Sequence, residues 1–102
     1  MSNFDLKQMQ SAAREACDLL KVLSNHNRLM ILCNLVNGEK SVGTLQSLIG
    51  LSQSAISQHL ARLRQEQLVQ TRRVSQTVYY SLASAEVSQI IAVLYELYCK
   101  RE

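Results

Sequence analysis

The sequence predicts a mainly α-helical domain that carries one small β-hairpin. Apolar residues recur at helical spacing in five separate stretches. Between about residues 69 and 82 that spacing gives way to alternation. The chain also has no proline and only three glycines, Gly38, Gly43 and Gly50. So few breakers favour helices joined by short connections over a sandwich or barrel of many turns. With 102 residues and 47% apolar content, one folded domain covering 1–102 is expected.

The first helix is expected over residues 6–23, with Leu6, Met9, Ala13, Ala16, Cys17 and Leu20 as its stripe. Cys17 is assigned to packing there. Asn25 can cap a second helix running to about Asn37, where Gly38 supplies a stop. Leu29, Leu32, Cys33 and Val36 share one of its faces, and Met30, Ile31 and Leu35 leave little that is polar. A helix apolar nearly all round belongs in the middle of a structure. Ser41 to Ile49 forms a short third helix closed by Gly50. Ser52 is the natural N-cap of the fourth, because its hydroxyl can accept an orphan backbone N–H. Ile56, Leu60 and Leu63 fall at i, i+4 and i+7 and so point together into a core.

Beyond Gln67, Val69, Thr71 and Arg73 alternate with Gln70 and Arg72, and Val78, Tyr80 and Leu82 alternate with Tyr79 and Ser81. These are two strands joined around Val74-Ser75-Gln76, without the Asn-Gly or Asp-Gly that would fix the turn type. Ser84 and Glu86 open a last helix with Val87, Ile90, Ile91, Leu94, Leu97 and Tyr98 on one stripe. The order α-α-α-α-β-β-α is that of a winged helix-turn-helix, with a recognition unit at 41–67 and a wing at 68–82. Helices 6–23 and 84–101 exceed what a three-helix core needs. Each is expected to pack against its copy in a symmetric homodimer.

The outer face of the fourth helix carries Ser54, Ser57, Gln58, Ala61, Arg62 and Gln65. Small and hydrogen-bonding side chains of this kind suit a helix entering a major groove about 12 Å wide. Ser54, Ser57 and Gln58 are the candidates for base edges, since glutamine can bind adenine bidentately. Thr44, Ser52, Gln53, Arg62 and the wing's Arg72, Arg73 and Gln76 are candidates for phosphates or the minor groove. His59 flanks the core face and is as good a boundary residue as a contact, and Arg28 reads as a packing or capping cation. Charge supports the same partner. Residues 52–82 hold Arg62, Arg64, Arg72 and Arg73 against Glu66 alone, while the other seven cations and seven anions cancel. The whole net charge of +3 therefore sits in the reading unit, where it attracts a polyanion best. A two-fold reader of double-stranded DNA expects a near-palindromic operator.

Other classes fit poorly. No run of about 18 apolar residues could span a membrane, and the first residues lack the apolar core of a signal peptide. A cytoplasmic location, where thiols rest reduced, is expected. No paired carboxylates, glycine-rich phosphate loop or Cys/His set points to an enzyme, and no cofactor is expected.

Leu23 to Leu32 (LSNHNRLMIL), Leu51 to Leu60 (LSQSAISQHL) and the hairpin Arg72 to Leu82 together resemble the ArsR/SmtB family of winged-helix regulators. The wing tip lacks the glycine of many relatives, and His26 stands where many have proline. Many members of the family bind metals, yet Ser41 to Gln46 holds no Cys, His or acid, and Glu86 to Cys99 holds no His. Three or four convergent ligands are therefore missing, and no metal site is expected. Cys33 and Cys99 instead resemble the cysteine pair of the BigR/SqrR/HlyU-like dithiol subgroup. That resemblance implies DNA affinity switched by oxidation or by insertion of sulfane sulfur, with output as a repressor or as an anti-silencing activator. Read from the residues alone, Cys33 is better explained as a small hydrophobe on a buried stripe, and only the resemblance favours the sensing role. A metal-responsive repressor, and a constitutive DNA-binding anti-silencer with structural cysteines, remain the alternatives.

Overall fold

The computed structural model describes residues 4–100. The expected first and last residues of the domain, among them Arg101 of the last helix, lie outside that range. The described chain runs α1 (Leu6–Leu23), α2 (His26–Leu35), β1 (Lys40–Ser41), α3 (Val42–Ile49), α4 (Gln53–Gln65), β2 (Val69–Val74), β3 (Thr77–Leu82) and α5 (Ala85–Tyr98).

A polar side chain stands immediately before every helix and accepts one of its orphan N–H groups. Asp5 serves α1, Asn25 α2, Ser41 α3, Ser52 α4 and Ser84 α5. Each such cap contributes about 0.5–2 kcal/mol, so the helix starts are written locally. Gly50 closes α3 at φ 83°, a left-handed conformation open to glycine without a Cβ clash. The α3–α4 turn is tight for that reason.

The end of α4 is less ordinary. Gln67 lies at φ 63°, its N–H donates to the Arg64 carbonyl, and the Leu68 N–H donates to the Leu63 carbonyl at 2.9 Å. This is the Schellman pattern with a glutamine where glycine is usual. Leu68 is then buried close to Leu63, which fixes how the chain leaves the helix for the wing.

The core gathers Ile31, Leu32 and Leu35 from α2, Leu45 from α3, Ile56, Leu60 and Leu63 from α4, and Val87 and Ile91 from α5. Leu68 and Val69 close it on the sheet side, and Tyr80 and Leu82 pack partly buried against it. The inner face of α4 is thereby fixed, and its outer face is left to solvent.

The sheet has three strands, not the two of a simple hairpin. β3 is central, with β2 on one side and the two-residue β1 on the other, all antiparallel. β1 was not foreseen, because two residues carry no periodicity; it exists because β3 offers a free edge to the segment before α3. The β2–β3 turn lies where expected, and in it Ser75 takes a positive φ of 56°, a conformation more usual for glycine or asparagine.

Two expectations from the sequence are corrected. Cys17 is exposed, not packed, because within one chain α1 buries only Val22 and Leu23 at its C-terminal end. Likewise α2 is not covered all round: Met30 and Val36 are exposed, and the helix ends at Leu35, slightly before Asn37. Arg28 meets its expected role as a capping cation, its Nε donating to the Val22 carbonyl at 2.8 Å. The radius of gyration is 15.3 Å, against about 13 Å for a compact chain of 100 residues. The excess fits terminal helices standing out from the core, with Leu6, Met9 and Leu20 on α1 and Val93 and Leu97 on α5 exposed.

No described helix is long and apolar enough to cross a membrane. Among the described residues no group of three or more His, Cys, Asp or Glu could hold a metal ion.

Candidate nucleic-acid interface and thiol groove

The outer face of α4 presents Gln53, Ser54, Ser57, Gln58 and Arg62 to solvent, with His59 half-buried at its border. Core contacts at Ile56, Leu60 and Leu63 hold the helix, so these polar groups have a fixed orientation. Not all of them are unengaged. The Ser52 hydroxyl accepts from the Ala55 N–H at 3.2 Å and shares a 3.3 Å hydrogen bond with Ser54. The Thr44 hydroxyl on α3 accepts from Ser41 at 3.0 Å. Arg62 lies 3.6 Å from Glu66 one turn along, a solvated pair. Ser57, Gln58 and Gln53 are the face's least committed hydrogen-bonding groups.

Across the Gln67 turn, the wing displays Arg73 and Gln76 near its tip, both exposed. Arg72 is engaged instead. Its Nε donates to one oxygen of Glu39 at 3.2 Å and its terminal nitrogen to the other, while the guanidinium lies 5.2 Å from the centroid of the Tyr79 ring. Glu39 holds no place among the sequence candidates. It is an acid in a connection, 33 positions from Arg72, and no local pattern joins the two.

The remaining sequence candidates, Cys33 and Cys99, sit away from this face and line one groove. A groove of about 960 Å³ runs between α2 and the C-terminal half of α5. Leu29, Cys33 and Val36 line one wall, and Ile91, Leu94, Tyr95 and Cys99 line the other. Cys33 is half-buried against the core, whereas Cys99 caps α5 and is exposed. Partial burial pushes the Cys33 thiol above its ordinary range, and the neighbouring Cys99 thiolate adds to the rise. The folded chain thus favours protonated Cys33. That preference stabilises the fold below the unfolded thiol's pKa and is lost as pH rises through the higher folded value. Alkylation of Cys33 by iodoacetamide, read by peptide mass spectrometry, is accordingly expected to need a higher pH in the folded protein than in urea. Cys99→Ser should move the folded profile back towards the unfolded one. Superimposed folded and unfolded profiles would contradict the burial of Cys33, and a folded profile unmoved by Cys99→Ser would contradict the influence of Cys99.

Comparison with known proteins decides the family. The model for bacterial regulatory proteins of the arsR family matches residues 25–71. The transcriptional activator HlyU of Vibrio cholerae is 50% identical over 96 residues, covering 94% of this chain and 89% of that protein. The chain belongs to the ArsR family. This ArsR-family chain is a DNA-binding transcriptional regulator with a winged-helix fold. The solved repressor BigR from Xylella fastidiosa superposes with a TM-score of 0.90 at 40% identity, covering 96% of this chain and all of that one. A homodimeric winged helix-turn-helix DNA-binding domain from Mycobacterium bovis reaches 0.75 at 26% identity, covering 95% of this chain and 89% of that one.

Proposed function

We propose that this ArsR-family chain acts as a homodimer that reads a near-palindromic operator through α4 and the wing. It lets go when Cys33 and Cys99 become joined by a disulfide or a short polysulfide. The carrying observation is the shared groove: two cysteines 66 positions apart line one cavity, and burial and the neighbouring thiolate together raise the Cys33 thiol. The homodimeric relative and the exposed apolar residues of α1 and α5 support the assembly.

The chemistry balances with a sulfane-sulfur donor. The exposed Cys99 thiolate attacks the outer sulfur of a persulfide RSSH, giving Cys99–S–SH and releasing RSH. Cys33 then attacks the Cys99 sulfur, displaces hydrosulfide and leaves a disulfide. In a longer chain, Cys99–S–S–SH, attack on the sulfur next to the terminal one again displaces hydrosulfide and leaves a trisulfide bridge instead. A direct disulfide needs Cα atoms within about 7 Å, while inserted sulfur spans more. Peroxide serves as the oxidant in the simpler variant, two thiols and H2O2 giving a disulfide and two waters.

Either link ties α2 to α5. Because α2 packs on α4 through the same core, tension on α2 is carried to the reading helix. Couplings between sites are typically about 1–3 kcal/mol, or roughly 5- to 150-fold in affinity. Persulfide treatment of the wild type is thus expected to weaken operator affinity by that order, as followed by fluorescence anisotropy. Cys33→Ser and Cys99→Ser should each remove the response while keeping reduced-state affinity. A response surviving in the double variant would reject the dithiol switch.

One observation favours a second reading. Cys33 packs against the core as an apolar side chain would, which suits a constitutive DNA binder with structural cysteines. Full DNA affinity under both persulfide and peroxide would select it.

A further inference from the structure

We infer that Glu39 restrains the wing by holding Arg72 in an intramolecular clamp, so that Arg72 positions the wing while Arg73 and Gln76 are left to meet phosphate. The inference rests on the reading that the wing approaches DNA. It begins with the unforeseen strand. β1 pairs Lys40 with Tyr80 and Ser41 with Tyr79, and so delivers Glu39, the residue before it, to the base of the wing. On the other side of β3, Arg72 stands directly opposite Tyr79. The arginine reaches across the central strand over the Tyr79 ring and gives both sides of its fork to the Glu39 carboxylate.

That occupation has a chemical meaning. A guanidinium recognises carboxylate and phosphate through the same planar pair of N–H groups. Arg72 cannot present that fork to a DNA phosphate without releasing Glu39. The carboxylate is already in place and needs no second molecule, and the ring holds the guanidinium from its face. The pair's protonation agrees: the Arg72 hydrogen bond holds the Glu39 carboxyl below its usual range, and Glu39 holds Arg72 above its own. Neighbouring Arg73 takes part in no described ion pair. The two adjacent arginines therefore differ in kind, one part of the frame and the other a phosphate contact.

Salt dependence separates these roles, because each neutralised phosphate contributes about 0.9 to the slope of log K against log salt. The test uses the reduced full-length protein and a short fluorescent duplex of arbitrary sequence. Wild type, Glu39→Gln, Arg72→Gln and the double variant are compared, with Arg73→Gln beside them. Glu39→Gln is expected to free Arg72 and steepen the slope by about 0.9. In the Arg72→Gln background the same change should leave the slope where it was. Arg73→Gln should flatten it by about 0.9.

Steepening by Glu39→Gln in both backgrounds would mean that Glu39 acts only as a nearby anion, and would overturn the clamp. A wild-type slope in Glu39→Gln, or a slope flattened by about 0.9 in Arg72→Gln, would overturn it too. A flat response to Arg73→Gln rejects the wing contact instead, and the Glu39 arms still decide the clamp. All five proteins should share one far-ultraviolet circular dichroism spectrum, since the altered side chains are exposed.

Discussion

Gln58→Ala is expected to remove sequence discrimination while leaving the folded protein and its general attraction for DNA in place. The side chain is exposed on the outer face of a helix whose inner face is locked by Ile56, Leu60 and Leu63. A glutamine amide can give and take a hydrogen bond at the same adenine edge, and a good bidentate contact is worth about 1–3 kcal/mol of discrimination. Acting in both half-sites, the loss would consume much of the roughly 4–10 kcal/mol that separates specific from non-specific binding. Ser57→Ala should act in the same direction. The measurement is a titration at fixed salt against an operator selected from a random duplex pool, paired with an unselected duplex. The ratio of affinities should collapse and the salt slope should stay, since no phosphate contact is removed. Unchanged operator affinity in both variants would take α4 out of the reading role.

Leu60→Ala should damage the molecule by a different route. Leu60 is fully buried, on the side of α4 turned towards the core that α2 and α3 share. Truncation leaves a cavity as well as lost transfer free energy, and such changes typically cost about 2–5 kcal/mol. Domains of this size hold only about 5–15 kcal/mol in total, so the variant should sit close to unfolding at room temperature. Urea titration should give a markedly lower midpoint with an unchanged slope. Neighbouring Ala61 is exposed, and Ala61→Ser should shift stability by no more than about 0.5 kcal/mol. Equal effects at the two positions would contradict the orientation of α4.

What the sequence made legible was local. Asn25, Ser52 and Ser84 could be named as helix starts because each cap answers a donor three residues away. The face of α4 could be drawn because a helix repeats every 3.6 residues whatever surrounds it. The features missed are those made by distant chain segments. β1 is a strand only because β3 lies beside it, and Glu39 finds Arg72 only because β1 exists. Cys17 illustrates the opposite error: its place on an apolar stripe was correct, but a stripe says nothing about whether the same chain covers it. The Cys33–Cys99 pairing came from family resemblance, since neither residue's neighbours in sequence point to the other.

The joint at Gln67 has a mechanical consequence. A strand of six residues reaches about 20 Å, so a change of angle where β2 leaves the Gln67 turn grows along the wing towards its tip. A rotation of about 10° there would sweep the tip through roughly 3 Å, the whole donor–acceptor length of a hydrogen bond. Glycine would make that hinge loose, because it visits many conformations at little cost. Glutamine accepts strain in exchange for stiffness. The angle between α4 and the wing is thus a fixed dimension of the fold, held by the backbone at Gln67 and by the β1 pairing on the far side of β3.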